Sequence, residues 1–413
     1  MRFSKETFAM LYGNGADIEE GQQRRYAALA QRFAERFGHG EARFFSAPGR
    51  AEIGGNHTDH QRGRVLTAAI SLDTVAAAAP NGTSWAHVDS EGFPFIEVDL
   101  SDLSPREAER GTAAAIIRGC AARLSEMGHA IGGFDAAVTS SVFSGSGLSS
   151  SAAFEVMLCA VFDGLFGRGD IPPIVRAQVS QYAENAYFGK PCGLLDQMGS
   201  SVGGMVAIDF ATAEPIVEQV SYDFAKKGYA LAVVNTGGSH DDLTHAYADI
   251  TVEMRQVAAY FGQERLREVN QMRFETEIPA LREKVSERAI LRAMHFFDEN
   301  QRVQAQVEAL KADDLPRFLS LITESGDSSW KLLQNIWANP TEQPLTLALA
   351  LSARMLKERG AWRVHGGGFA GTILSFVPVD LLDEYCGRMD AVFGGGACCP
   401  LNIRPVGAYE VKA

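Results

Sequence analysis

Residues suited to holding a charged ligand are gathered in one short stretch, VFSGSGLSSSAAFEV at 142–156. It follows a strand-like run, GFDAAVTSSV (133–142), and opens SAAFEVMLCAVFDGLFG (151–167), which is apolar almost all round and reads as a buried helix. The first turn of a helix presents backbone N–H groups without partners and a partial positive charge. In this reading Gly145, Ser146, Gly147, Leu148, Ser149, Ser150 and Ser151 form a phosphate loop. Its glycines let the backbone wrap around an anion, and its serines add hydroxyls able to donate to it or to hold a metal. No lysine follows, which excludes GxxxxGK[ST], and the last glycine of GxGxxG is missing, which argues against a dinucleotide fold. A serine-capped helix after a flexible turn would use the same residues, but three consecutive serines ahead of a buried helix favour an anion.

Three further segments carry chemistry. APGRAEIGGNHTDHQRGR (47–64) packs Arg50, Glu52, Asn56, His57, Asp59 and His60 between two apolar runs, a composition suited to a loop around a polyhydroxylated ligand. Metal binding by His57 and Asp59 lacks a third ligand at a fixed offset; a merely solvated loop is the other alternative. YAENAYFGKPCGLLDQMGSSVGG (182–204) presents Asp196 between Leu195 and Met198. A carboxylate so placed is poorly solvated unless paired, and could accept a hydroxyl proton; a helix N-cap is its plain alternative. Glu184 in the same stretch could hold Mg2+ with a serine of the phosphate loop. RVHGGGFAGTIL (363–374) places three glycines before a strand, a run that permits positive φ or close backbone approach.

These segments need elements to position them. Two helices read over 1–40, followed by a short strand at 43–47 and a loop at Pro48–Gly49. A buried strand reads over 64–80, though its alanines leave a helix possible; another strand reads over 94–100, and a helix over about 112–127. PPIVRAQVSQYAENAYFGK (172–190) starts on prolines, which suit a helix's first turn, and strands follow at 203–210 and 229–235. Beyond about 215 long charged helices dominate, at 242–261, 278–311 and 313–336, before a last helix–strand segment. Strands and helices mix without regular βαβ alternation, so the fold class is α+β with two lobes, 1–215 and 216–413.

The chain has 413 residues, 46% apolar and 22% charged, the balance of a globular protein of two or three domains. Its net charge of −13 carries no concentrated basic face, which excludes nucleic acid as a partner. Six scattered cysteines without zinc spacing read as free thiols of a reducing compartment. The polar breaks in MRFSKETFAMLYG do not read as a signal peptide, and no apolar run approaches the ~18 residues of a membrane span. The expectation is a cytoplasmic protein, with no membrane partner and an unspecified oligomeric state.

Together, and in the same order, these segments resemble the galactokinase branch of the GHMP small-molecule kinases, over nearly the whole chain. PGRAEIGGNHTDH is similar to the galactokinase signature, SGSGLSSSAAFEV to the ATP-phosphate motif, GKPCGLLDQMGS to the stretch with the catalytic aspartate, and HGGGFAG to the third motif. NTGGSHDDLTHAYADI (235–250) is similar to the segment that brings a tyrosine to the sugar. The resemblance implies a ribosomal-protein-S5-like N-terminal lobe and a ferredoxin-like C-terminal lobe. It implies ATP-dependent phosphorylation of the anomeric hydroxyl of a monosaccharide, with Mg2+. Asp196 would orient or deprotonate that hydroxyl, with Arg50 steadying it and the phosphoryl group. Asn56, His57, Thr58, Asp59, Gly193 and Tyr247 would line the sugar. The loop Gly145, Ser146, Gly147, Leu148, Ser149, Ser150 and Ser151 would cradle the triphosphate, Ser90 would touch the nucleotide, and Ser151 and Glu184 would hold the metal.

Departures cluster in the sugar loop. The family usually has Glu where this chain has Asn56, Asn where it has Glu52, and Tyr where it has His60; Val364–His365 stands where Met–Thr is more usual. An amide donates and accepts where a carboxylate only accepts, so these changes bear on which sugar is taken. D-galactose is the first expectation. N-acetylgalactosamine, arabinose or a uronic sugar are the alternatives, and a non-catalytic sugar and ATP sensor is the reading from outside enzymes.

Overall fold

The computed structural model describes residues 3–39, 41–143, 147–190, 192–237, 244–337, 339–369 and 371–412. Its strands are β1 (Arg43–Gly54), β2 (Arg64–Pro80), β3 (Trp85–Ser90), β4 (Ile96–Asp99), β5 (Phe134–Ser140), β6 (Met205–Asp209), β7 (Ile216–Val220), β8 (Tyr229–Asn235), β9 (Ala361–His365), β10 (Thr372–Pro378), β11 (Cys398–Leu401) and β12 (Tyr409–Val411). They form two sheets. The first runs β12-β1-β2-β5-β3-β4, with β6 and β7 continuing from β2; the second runs β11-β8-β10-β9. All described pairings are antiparallel except β3 with β5. Two sheets with helices packed on them, and no βαβ series, are the two-lobed α+β architecture read from the sequence.

The alanine-rich β2 is a strand because both its faces are covered. Ala76 and Ala78 pack toward the helix Ser150–Phe166, while Val75, Ala77 and Ala79 pack toward the N-terminal helices Lys5–Tyr12 and Ala16–Phe37. Alternate side chains point to opposite faces, so a strand with two buried faces shows no polar alternation.

Several boundaries differ from the sequence reading. β1 does not stop at Ala47: it passes through Pro48–Gly49 as a register shift and continues to Gly54. The run 278–311 is broken into Gln271–Leu281 and Glu287–Lys311, because Asn270 and Ser286 each cap a helix, accepting from Arg273 N at 2.9 Å and Ala289 N at 3.1 Å. β3, β7 and β11, of six, five and four residues, lie outside the strands read from the sequence. β7 lies past the expected division at 215 yet pairs within the first sheet, and β12 returns to it from the chain's end. One apolar cluster joins both sheets, with Ile53, Leu66 and Ala68 against Leu231, Val233 and Leu374. No helix among the described residues is long and apolar enough to cross a membrane.

Candidate active site

The irregularity at Pro48–Gly49 presses β1 against the phosphate loop. Arg50 N–H donates to the Leu148 carbonyl at 3.1 Å, and a Cβ on Gly49 would lie 2.8 Å from that same oxygen. A bulge re-aims the side chain beside it. Here the Arg50 side chain reaches Asp196, with Nε to Oδ1 at 2.9 Å and Nη2 to Oδ1 at 2.8 Å, while Nη1 donates to the Gly147 carbonyl. Ser149 Oγ donates to the other oxygen, Oδ2. Asp196 sits in the first turn of the helix Leu195–Val202, whose N-cap is Leu194, so it is not the cap. The Arg50 side chain is 6% exposed and that of Asp196 38%, which leaves the carboxylate a face open to a ligand. Thus two segments far apart in sequence meet at one ion pair beside the first turn of Ser150–Phe166, where Ser150 and Ser151 stand. Gly145 and Ser146 lie outside the described residues.

The polar loop that follows β1 is propped by the helix Glu287–Lys311. Glu299 Oε1 accepts from Gly55 N–H at 2.9 Å, Asn300 Oδ1 from Arg64 N–H at 2.9 Å, and His295 Nε2 bonds the Asn56 carbonyl at 2.9 Å. His57, Asp59, Gly193 and Tyr247 line a cavity of about 1140 Å³. A Cβ at Gly193 would fall 1.9 Å from Asp59 Oδ2, so only glycine lets this carboxylate close on the backbone. Burial, reinforced by the charges of Asp196 and Glu52, pushes the Asp59 carboxyl up to about 6. Burial holds His57 below its usual value, and its Nε2 bonds the Gly367 carbonyl at 3.0 Å.

Asn56 and Thr58 point the other way. The Asn56 amide donates to Glu52 Oε1 at 2.8 Å and the Gly366 carbonyl at 2.7 Å, and accepts from Asn335 Nδ2 at 2.8 Å and Ser329 Oγ at 3.2 Å. All four of its bonding positions are taken within the protein. Thr58 Oγ1 is shared between the Gly55 carbonyl at 2.9 Å and the Arg64 carbonyl at 2.6 Å. Arg363 Nη2 donates to Glu52 Oε1 at 2.9 Å. The acid and amide whose positions are exchanged relative to the family pattern are therefore in direct contact, and the acid's charge is met by a buried guanidinium.

The three-glycine run brings the second sheet to this site. A Cβ on Gly367 would meet the Tyr247 ring at 2.4 Å, and one on Gly368, at φ +80°, would meet the Asn335 carbonyl at 2.1 Å. Tyr247 Oη donates to the Gly368 carbonyl at 2.7 Å, and its ring packs edge-on to Phe369. His365 Nε2 accepts from Glu52 N–H at 2.9 Å, so the ring is neutral; burial, with Arg50 and Arg363 nearby, holds its pKa well below the ordinary value.

Glu184 is buried, 2.9 Å from Gln197 Nε2 and 3.4 Å from Lys190 Nζ. Gln197 Nε2 also lies 3.1 Å from Glu155 Oε2. Glu155 stands one helical turn beyond Ser151 and so shares its face, which brings Glu184 to the side of the helix that carries Ser151. Burial, then the charge of Glu184, pushes the Glu155 carboxyl well up, and its Oε1 has no described partner. The described residues hold no group of three or more His, Cys, Asp or Glu able to bind a metal alone. One carboxylate, one hydroxyl and substrate phosphates suit Mg2+, which seldom takes an all-protein cage. Ser90 ends β3 opposite Val138 on β5, the strand that leads into the phosphate loop.

Sequence reasoning did not single out Glu155, Gln197, His295, Glu299, Asn335 or Arg363. Two signals were available: Glu155 falls four residues after Ser151, and HFFDEN (295–300) mixes polar residues into an otherwise apolar helix face.

Comparison with known proteins first defines the class. Residues 115–204 match the model described as the GHMP kinases N terminal domain, and the Methanococcus jannaschii mevalonate kinase shares the fold, with a TM-score of 0.64 at 14% identity over 88% of this chain and 99% of that one. Residues 31–80 match the galactokinase galactose-binding signature. The galactokinase of Actinobacillus pleuropneumoniae serotype 5b is 34% identical over 84% of this chain and 88% of its own length, and that of Streptomyces coelicolor 30% over 88% and 92%. The structure of Lactococcus lactis galactokinase complexed with galactose superposes with a TM-score of 0.81 at 25% identity, covering 94% of this chain and all of that one. The chain belongs to the galactokinase family.

Proposed function

We propose that this protein transfers the γ-phosphoryl group of ATP to the anomeric hydroxyl of D-galactose, giving galactose 1-phosphate and ADP. The observation that carries the reading is the Arg50–Asp196 pair, tied to Gly147 and Ser149 of the phosphate loop and open on its other side. Asp196 accepts the hydroxyl hydrogen and aligns the oxygen. As the new O–P bond forms and the bond from Pγ to the leaving β-phosphate oxygen breaks, the proton passes toward the carboxylate. Arg50 meets the charge spread over the transferring group. Such a reaction needs little covalent help, and positioning with charge neutralisation supplies most of the rate.

Ser149, Ser150 and Ser151, with the backbone of the helix's first turn, hold the triphosphate, and Ser90 borders the nucleotide. Glu184 and Ser151 hold Mg2+, which neutralises phosphate charge when bound. His57, Asp59, Gly193 and Tyr247 hold the sugar; Asn56 and Thr58 act beneath them by fixing the loop. Six free cysteines and the need for ATP favour the cytoplasm. An ADP-coupled assay with a panel of sugars tests the proposal: Mg-dependent turnover with D-galactose is expected, and its absence between pH 6 and 9 would overturn it.

A further inference from the structure

The cavity that receives the sugar is far larger than a monosaccharide, and its outer part is cationic in a chain of net charge −13. Tyr247, Thr251 and Arg255 all line it, and their spacing of four puts them on one face of the helix Thr244–Tyr260. Arg255 stands about 12 Å beyond Tyr247 by helical rise, and helical side chains lean back toward the N-terminus. Both side chains border the one cavity. Arg265 lines the same wall.

Other cations of this cavity already have partners. Lys190 pairs with Glu184 at 3.4 Å and Arg62 with Glu268 at 2.6 Å. Arg255 makes no hydrogen bond or ion pair with any described residue, and the Arg265 guanidinium donates, among the described residues, only to the Glu264 carbonyl, at 3.0 Å. None of residues 147–151 is among the residues that line the cavity with these arginines. His60 of the sugar loop lines the same cavity, and its Nε2 is covered from solvent and has no described partner. Position 56, where the family usually carries an acid, carries an amide turned away from the cavity.

We infer that this kinase also takes hexoses whose exocyclic carbon bears an anionic group, carboxylate or phosphate, and that Arg255, Arg265 and His60 receive that group. The inference rests on the kinase reading above and adds a substrate class to it. The chemistry at the anomeric carbon is the same: the anomeric oxygen bonds to Pγ, the bond from Pγ to the β-phosphate oxygen breaks, the hydroxyl proton goes to Asp196, and ADP leaves. Only the far end of the ring differs. Arg255 is exposed and Arg265 half-buried, so the attraction weakens with salt.

The test measures kcat/KM for D-galactose, D-galacturonate and D-galactose 6-phosphate, with wild type, Arg255→Ala and Arg265→Ala. Turnover of an acidic sugar is expected, with a loss of about tenfold in its kcat/KM on removing either arginine, as befits a lost charge-assisted contact. Galactose should change by less than about twofold, and KM should rise with salt for the acidic sugar alone. Turnover of galacturonate only, or of the 6-phosphate only, assigns the anion as carboxylate or phosphate. Galactose turnover with neither acidic sugar accepted overturns the inference while leaving the kinase reading intact. Acidic-sugar turnover indifferent to both arginines and to salt also overturns it. An unchanged melting temperature in each variant excludes misfolding.

Discussion

Of the aspartates that arginines hold in this molecule, Asp73 and Asp196 contrast most. Asp73 on β2 is fully buried. It accepts from Arg25 at 2.6 Å, Arg404 at 3.3 Å, Tyr12 at 2.7 Å and Ser46, so it ties the N-terminal helices, the first sheet and the chain's last segment together. Among the described residues Asp196 has only Arg50 and Ser149, and part of its side chain meets solvent. The pair chemistry is the same. What differs is how many lone pairs the protein leaves unused: a saturated carboxylate fixes structure, and one with an open side can receive a substrate hydroxyl.

The comparison breaks most visibly at Asp196. Asp196→Asn should lower kcat about a thousandfold, the range of a positioned proton acceptor, while ATP binding and the melting temperature persist. Turnover near the wild-type rate would remove Asp196 from the mechanism. At the other aspartate the effect is on stability. Asp73→Asn leaves two guanidinium groups without their counter-charge and should cost about 3–5 kcal/mol in denaturant unfolding, with kcat of the folded fraction unchanged. The pH dependence sharpens this. Burial would raise the Asp73 carboxyl, but Arg25 and Arg404 outweigh it and hold it below its ordinary value. A depressed folded value contributes stability that is present above the unfolded value and lost as pH falls through the folded one. The wild-type unfolding midpoint should therefore drop on acidification below about pH 4, more steeply than that of Asp73→Asn.

Smaller effects test the open side of the site. Gly193→Ala would place a methyl 1.9 Å from Asp59 Oδ2, so the KM for galactose should rise about tenfold with little change in kcat. A KM within twofold of wild type would show that the carboxylate has room to move. Smallest is the pH profile of KM. With the Asp59 carboxyl raised to about 6, its proton returns below that pH and an acceptor of sugar hydroxyls becomes a donor. KM should rise severalfold between pH 7 and 5, and a flat profile would remove Asp59 from sugar binding.

Much of this was legible from residue order alone. The phosphate loop, the acid among glycines and the three-glycine run each have a local cause, and the structure gathers Gly147, Ser149, Asp196, Arg50 and Gly366 at one place. β2 was legible in part: small and β-branched residues dominate it up to Pro80, while its alanines also suit a helix. β7 and β11 were not, since short strands gain their stability from neighbours rather than from their own pattern. The run 278–311 was misjudged as one helix because Ser286 acts as a cap only once its side chain turns back on Ala289.

The sequence by itself determined which chemical groups are present and which local conformations they favour: glycines for close approach, serines at a helix start, an acid in apolar surroundings. Tertiary structure alone decided which way the side chains of the sugar loop face. Asn56 turns inward because Asn335 and the Gly366 carbonyl, 279 and 310 residues away in the chain, complete its bonds, and Glu52 is neutralised by Arg363 across 311 residues. A buried polar group goes where its partners are, and these partners come from the other lobe.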